Sequence, residues 1–489
     1  MRAAAPTPRK REMTVAQTLS AYGAALTSVA LPAAVIHHAK RAVLDWHAAA
    51  IAGAAEPPAR ILERALADDL DRGASRLVLG RAATPRAAAL INGTAAHTLE
   101  VDDIYRHAIY HPGAPTIAAA LAQAQAIGAS GLAFLRAVVA GYEISTRIGS
   151  SLGRAHYRFW HSTGTVGSFG AAAAAATLLQ LDSARYTHAL CTCATMASGL
   201  QQAFRTDSMS KPLHAGHAAQ VGLLAAAAAA AGFTGAPDVI DGPAGLGRAM
   251  RHPVSTARRF AKQPCADRPP EGAHTAAEGE GTPVSEDPDW HASMATLGRE
   301  FHITDMTFKN HACCGHAFAP IDGAQALQAQ MRISADDIHR IHIGTYAAAL
   351  DVAGNPDPKT APEARFSVPF AVATALLYGS VRPAAFSPER LLDARIRALM
   401  ARIELRIDPQ LDAAFPGQRA ARVRIVARDA RQGQWLQATR KGDPDAPLSD
   451  GALNAKFLEL TEPVLGAAAA ARLRARIWQL EAMPSLRLP

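Results

Sequence analysis

Along most of the chain apolar positions recur every three or four residues, the spacing of helices with one buried face. From Thr14, the residues Val15, Leu19 and Tyr22 mark a first helix that breaks at Leu31-Pro32. Pro32 suits the first turn of the next helix, which is read through Ala39 and Leu44 to Gly53. Pro57-Pro58 closes that region, and a helix over about 60–70 follows. Residues 76–80 (RLVLG) read as a short strand or a loop. Helix resumes at Pro85, and 116–127 and 132–147 are helices whose packing faces carry alanine or glycine. Glu143 and Arg147 stand four apart in the order that favours a helical ion pair. That reading is preferred to Arg147 as a ligand for a substrate carboxylate.

The pattern changes once. Residues 262–289 (KQPCADRPPEGAHTAAEGEGTPVSEDPD) have no apolar period and are rich in Pro, Gly, Glu and Ala. They read as a linker or long surface insertion and divide the chain. Beyond them short alternating runs appear at 338–343 (IHRIHI), 403–407 (IELRI) and 423–426, which predict strands. Helices at 320–331 and 368–378 lie between, and helix returns from Leu448 to Leu480. The expectation is a mainly α protein with an α+β second domain: a helical part over 13–261, the α+β part over 290–440, and C-terminal helices over 441–489.

Composition sharpens this. The 489 residues are 49% hydrophobic but only 6% aromatic, so the core must be built from many small side chains. Alanine is the best helix former. The formal charge of +8 is compatible with a nucleic acid, a membrane surface or an anionic small molecule. The basic residues form no block interleaved with aromatics, so nucleic acid is not expected. The most apolar run, 222–232 (GLLAAAAAAAG), is too short to span a bilayer. Five cysteines are few and odd in number, which points to a reducing cytoplasm rather than a disulfide framework. Residues 1–12 are basic but lack the apolar region of a secretory signal.

The chemistry gathers in 92–112 (NGTAAHTLEVDDIYRHAIYHP). Three acids, Glu100, Asp102 and Asp103, and three histidines, His97, His107 and His111, share one short run between nearly charge-free helices. Carboxylates that close to imidazoles shift their pKa values toward useful proton transfer. In 159–179 His161 precedes Ser162, Thr163, Gly164 and Thr165 and then an alanine helix. Small polar residues there cap the helix, and the N–H groups they leave exposed suit an anion. Lys211 opens another alanine helix, against the dipole, a poor place for a structural lysine and a good one for gripping an anion or giving a proton. His107 and His111 stand four apart, as zinc ligands on a helix would, but HExxH is absent and Pro112 argues against a continuing helix; Cys313, Cys314 and His316 have no further ligands at zinc spacing. Neither GxSxG nor GxGxxG is present, and Cys313 and Cys314 are read as buried, inert thiols. General acid–base chemistry on an anionic small molecule is what remains.

Taken in order, NGTAAHTLEVDD…HPGAP, WHSTGTVGSFGAAAAAA, SKPLHAGHAAQVGLLAA, KNHACCGHAFAPID, EARFSVPF and KGDPDAPLSDGALNAKF resemble the MmgE/PrpD family over about 14–480. That family contains 2-methylcitrate dehydratase, cis-aconitate decarboxylase and iminodisuccinate epimerase. The resemblance implies a helical domain made from both ends of the chain, an inserted α+β lid, a homodimer, and catalysis without metal or organic cofactor. Matched motif by motif, it implies catalytic roles for Glu100, His111, His161 and Lys211; Asp103, His97, His316 and Thr163 are the expected substrate contacts. The family usually has aspartate at Glu100, threonine at Ile104 and often histidine at Phe318. The expected function is a cofactor-independent lyase, a dehydratase or decarboxylase, acting on a small di- or tricarboxylate. The rivals are an isomerase of an amino-dicarboxylate and a non-catalytic polyanion-binding protein.

Overall fold

The computed structural model describes residues 13–204, 208–251, 287–415, 417–486 and 488. Positions 262–286 of the expected insertion, with Cys265, and the basic residues of 1–12 lie outside the described residues.

A capping box between Thr14 and Gln17 starts α1 (Val15–Ala25). There follow α2 (Ala33–Ala54), α3 (Pro57–Ala65), the strands β1 (Leu70–Arg76) and β2 (Ala82–Ala83), α4 (Pro85–Ala96), α5 (Gly113–Ile127), α6 (Gly131–Tyr157), α7 (Ser162–Leu178), α8 (Ser183–Ala194), α9 (Ser210–Ala230) and the short α10 (Leu246–Ala249) and α11 (Trp290–Met294). Every residue of α7 is buried, with α5, α6, α8 and α9 packed around it. Alanine and glycine make such enclosure possible by letting backbones touch. A Cβ at Gly216 of α9 would stand 2.1 Å from the carbonyl oxygen of Leu90 in α4. Each small side chain buries little area, so the stability comes from many close contacts.

The second half contains α12 (Phe318–Met331), β3 (Ile338–Thr345), α13 (Ala347–Ala353), α14 (Ala361–Arg365), α15 (Val368–Tyr378), α16 (Pro388–Leu391), α17 (Ala394–Met400), β4 (Ile403–Ile407), α18 (Pro409–Ala414), β5 (Ala421–Ala427) and β6 (Gln432–Gln437). The strands form one sheet in the order β4-β3-β5-β6, with β3 and β4 parallel and the other pairs antiparallel. Ile341 of β3 sits between Ile403 and Ile425. Along β5 Ala421, Val423, Ile425 and Ala427 are buried in alternation, and α12 covers β5 and β6. This is the mainly α protein with an α+β second part that the pattern predicts.

The chain ends in α19 (Asp450–Leu465) and α20 (Ala467–Trp478). α19 lies on α2, where buried Lys456 pairs with Asp45 and donates to the Val101 carbonyl at 2.6 Å. A C-terminal helix thereby braces the acidic loop after α4.

Of the two readings for 76–80, short strand or loop, the loop holds: β1 ends at Arg76, and 77–80 is a turn closed by Leu77 N–H to Arg81 O at 2.8 Å. Left-handed Asp71 and Gly73 interrupt β1, so it shows no alternation in sequence. Two other local expectations need correction. The helix placed at 60–70 starts at Pro57 and ends at Ala65. Residues 290–305, expected in the second part, pack on α6 through α11 and the turn at His302–Asp305. Glu143 and Arg147 do pair, at 3.2 Å, and Arg147 also holds the carbonyls of Ser293 and Glu300. Among the described residues no helix is long and apolar enough to cross a membrane.

Candidate active site

Four helix ends meet at one place. α4 ends on His97, α5 begins at Gly113, His161 is the N-cap of α7, and Lys211 and His214 lie in the first turns of α9. The packing of α4 on α9 and of α5 and α9 on α7 brings them together. Three of the four ends are N-termini, whose N–H groups and dipoles favour an anion. Between α4 and α5 the acidic loop turns through Glu100, which has a left-handed backbone (φ 57°). That conformation is uncommon for a residue with a Cβ.

One carboxylate serves two imidazoles. Asp102 Oδ2 accepts from His97 Nδ1 at 2.7 Å and lies 3.2 Å from His111 Nδ1. Burial alone would raise Asp102, but His111 and His97 outweigh it and hold the carboxyl well below the usual range. His97 is buried, which lowers its pKa to about 4 against the pull of Asp102. The His161 ring stacks on His97 at 5.3 Å, and burial followed by His97 lowers its pKa as well. His161 Nδ1 is 3.0 Å from His214 Nδ1, so one of the two donates and the other accepts. His111 N–H reaches Thr163 Oγ1 at 3.4 Å, which ties the acidic loop to the first turn of α7.

A second carboxylate holds two ammonium groups. Glu100 Oε1 contacts Lys211, and Glu100 Oε2 accepts from Lys309 Nζ at 3.0 Å. Lys309 is buried, and burial lowers its pKa. Burial and then the neighbouring Lys309 charge bring Lys211 down to about 7, and the Glu100 carboxylate in contact opposes that descent. With both lysines protonated the clasp carries two positive charges against one negative, an arrangement that receives an anion.

The other expected residues are placed differently. Asp103 is buried, and each oxygen has a partner: Oδ1 accepts from Gly113 N–H at 3.0 Å and Oδ2 from the Tyr142 hydroxyl at 2.7 Å. It fastens the start of α5 to α6, with burial raising it to about 7. These two bonds give Asp103 a structural role beside the expected substrate contact. His316 lies on the turn before α12, bonded through Nδ1 to the Tyr346 hydroxyl at 2.8 Å. His107 is exposed and 3.1 Å from Asp305. Tyr105 and Tyr110 bridge across that loop, so His107 and His111 do not share a helix face. Burial raises the thiols of Cys313 and Cys314, which makes them poor nucleophiles.

Lys309, the separate role of Asp102 and His214 do not stand out in the sequence alone. The signals were present as the lysine opening KNHACC, as one of two adjacent acids, and as the histidine in KPLHAG. A metal would find its donors in His97, Asp102 and His111, whose ligand atoms lie within 4.8 Å of one another. Two donors on one tetrahedral zinc lie about 3.3 Å apart, from bonds of ~2.0 Å. The 2.7 Å between His97 and Asp102 is the spacing of an N–H···O bond instead.

Residues 17–257 match the model of the MmgE/PrpD N-terminal domain and 311–482 that of the MmgE/PrpD C-terminal domain. A cis-aconitate decarboxylase-like protein of Aspergillus oryzae is 28% identical over 471 residues, 92% of this chain and 91% of that protein. The cis-aconitate decarboxylase of Aspergillus terreus is 26% identical over 326 residues, 64% of this chain and 61% of its own. The human cis-aconitate decarboxylase is 34% identical over a shorter stretch of 169 residues, 33% of this chain and 34% of its own. With both domain models matched in order along one chain, this protein belongs to the MmgE/PrpD family.

Proposed function

We propose that the protein is a lyase that releases CO2 from a small polycarboxylate of the cis-aconitate type, using its own side chains as acids and bases. The observation that carries this is the convergence of Lys211 and Lys309 on Glu100 beside the His97–Asp102–His111 array. Relatives named cis-aconitate decarboxylase support the choice of substrate and of decarboxylation over dehydration.

In this reading a substrate carboxylate faces the two ammonium groups and the helix N-termini. The bond to the departing carboxylate breaks, and its electron pair enters the allylic system beside a retained carboxylate. Preorganised positive charge stabilises the anion as it develops. A proton then arrives at the far allylic carbon, so a tricarboxylate and one proton give a dicarboxylate and CO2. His111 is the proton donor, oriented by Asp102. His161 and Lys211 line the same space, and Glu100 keeps the lysines at their spacing.

Incubation with cis-aconitate, citrate, 2-methylcitrate and iminodisuccinate in deuterated water, followed by NMR, tests the reading. CO2 loss from cis-aconitate supports it. Loss of water from citrate or 2-methylcitrate makes the protein a dehydratase instead. Deuterium uptake without bond loss makes it an isomerase, and no change in any compound favours a binding protein.

A further inference from the structure

Three arginines from separate parts of the chain gather round one histidine–tyrosine pair, His316 half-buried and Tyr346 buried. His316 and Tyr346 share a hydrogen bond of 2.8 Å. Phe415 stacks on Tyr346 with ring centroids 4.3 Å apart, and the Arg154 guanidinium lies over the Phe415 ring at 5.2 Å. Arg154 follows Gly153, whose backbone (φ 58°, ψ −153°) breaks α6 and turns its last residues. Arg440 donates to the carbonyl of Gly315, next to His316, at 3.1 Å. Arg419 is brought beside Tyr346 because the Thr345 hydroxyl bonds the Ala420 carbonyl at 2.9 Å. Burial and then Arg419, Arg440 and Arg154 depress His316 to about 3, so the imidazole is neutral and the guanidiniums are the charged groups.

The charges do not balance. Arg440 is neutralised by Asp443, through bonds of 2.8 and 2.7 Å. Among the described residues no carboxylate lies within ion-pair distance of Arg154 or Arg419, and the nearby acid is already spent. The surplus adjoins the lysine clasp. A Cβ at Gly315 would stand 2.9 Å from Arg440 Nη1 and 4.0 Å from Cδ1 of Ile104, which belongs to the acidic loop. The Cys314 thiol feels Lys309, Lys211 and Arg440 together.

We propose that Arg419 and Arg154, with the His316–Tyr346 pair, form a second anion subsite that takes the substrate carboxylate remote from the Lys211–Lys309 clasp. The proposal rests on the polycarboxylate reading above and narrows it: the preferred substrate carries a carboxylate beyond the pair that a short dicarboxylate can offer. Guanidiniums suit this task because their planar fork grips a carboxylate with two N–H groups. Tyr346 and His316 supply neutral polar atoms at the same wall.

Calorimetric titration with tricarballylate, a saturated tricarboxylate, and with succinate tests it on the full-length protein. Arg419→Gln should weaken tricarballylate about 10- to 100-fold, the loss that a charge-assisted hydrogen bond carries, and succinate less than about 3-fold. Arg419→Lys should recover part of the affinity, and exposed Arg154→Gln, which carries little folding risk, should lose about 3- to 10-fold for tricarballylate alone. Equal loss of both ligands, or no loss of either, overturns the subsite while the polycarboxylate reading stands. Inorganic phosphate binding that Arg419→Gln abolishes, with tricarballylate unaffected, makes the cluster a phosphate site and also overturns it. A wild-type protein that binds neither carboxylate removes the polycarboxylate reading itself, and the subsite with it.

Discussion

Replacing Lys309 by methionine separates the clasp's stability from its chemistry. Lys309 is 1% exposed, and its ammonium is 3.0 Å from Glu100 Oε2. Methionine fills most of the volume of the stem and removes the charge. Glu100 keeps Lys211, so the native state loses one charge-assisted hydrogen bond, about 1.5–3 kcal/mol. Part of that returns, because the lysine no longer has to be desolvated; its lowered pKa shows that cost. The net loss of stability should be below about 2 kcal/mol. The reaction loses a fixed positive charge aimed at a developing anion, for which about 10²- to 10³-fold in kcat is typical, or about 2.7–4 kcal/mol. Thermal unfolding and the rate of CO2 release from the same preparation measure the two effects. A folded Lys309→Met protein with a rate within tenfold of wild type would refute the assignment of Lys309 to the chemistry. Loss of the fold instead would show that the clasp is chiefly structural.

Further outcomes follow from the same geometry. Asp103→Ala should lower the melting temperature, because it orphans the Gly113 N–H and the Tyr142 hydroxyl at about 1–3 kcal/mol each; a raised KM with an unchanged melting point would favour the substrate contact over the structural role. Lys211 has its pKa lowered to about 7, so its cationic form is present below that pH and is lost above it. KM for the carboxylate should therefore rise as pH increases through about 7, and Lys211→Arg, which stays charged, should move that limb to higher pH; an unchanged profile in the variant contradicts the role. Dialysis against a chelator should leave turnover intact, and loss of activity restored by a divalent ion would direct attention to His97, Asp102 and His111.

Much of the fold could be read from the chain because its signals are local. Prolines at helix starts, Ser and Asp caps, and Ile/Val alternation in β3, β4 and β5 each act within a few residues. β6, with the sequence QGQWLQ, was missed because its side chains are mostly solvent-facing and it pairs only with β5. The acidic loop announced His97, Glu100, Asp102 and His111 through their closeness in sequence. It could not say which of two adjacent acids turns toward the imidazoles: Asp102 does, and Asp103 turns to Tyr142. Lys309 was hidden for a different reason. Its partner Glu100 is 209 residues away, and only the packing of the second half on the acidic loop joins them.

The most direct test of the central claim is the ¹³C and ¹H NMR spectrum of cis-aconitate incubated with the purified protein in deuterated water. The expected result is CO2 release in step with a dicarboxylate carrying one deuterium at the carbon that received the proton, and no deuterium in the remaining substrate. Deuterium entering intact cis-aconitate without CO2 release, or an unchanged spectrum from a protein that binds the compound, would contradict it.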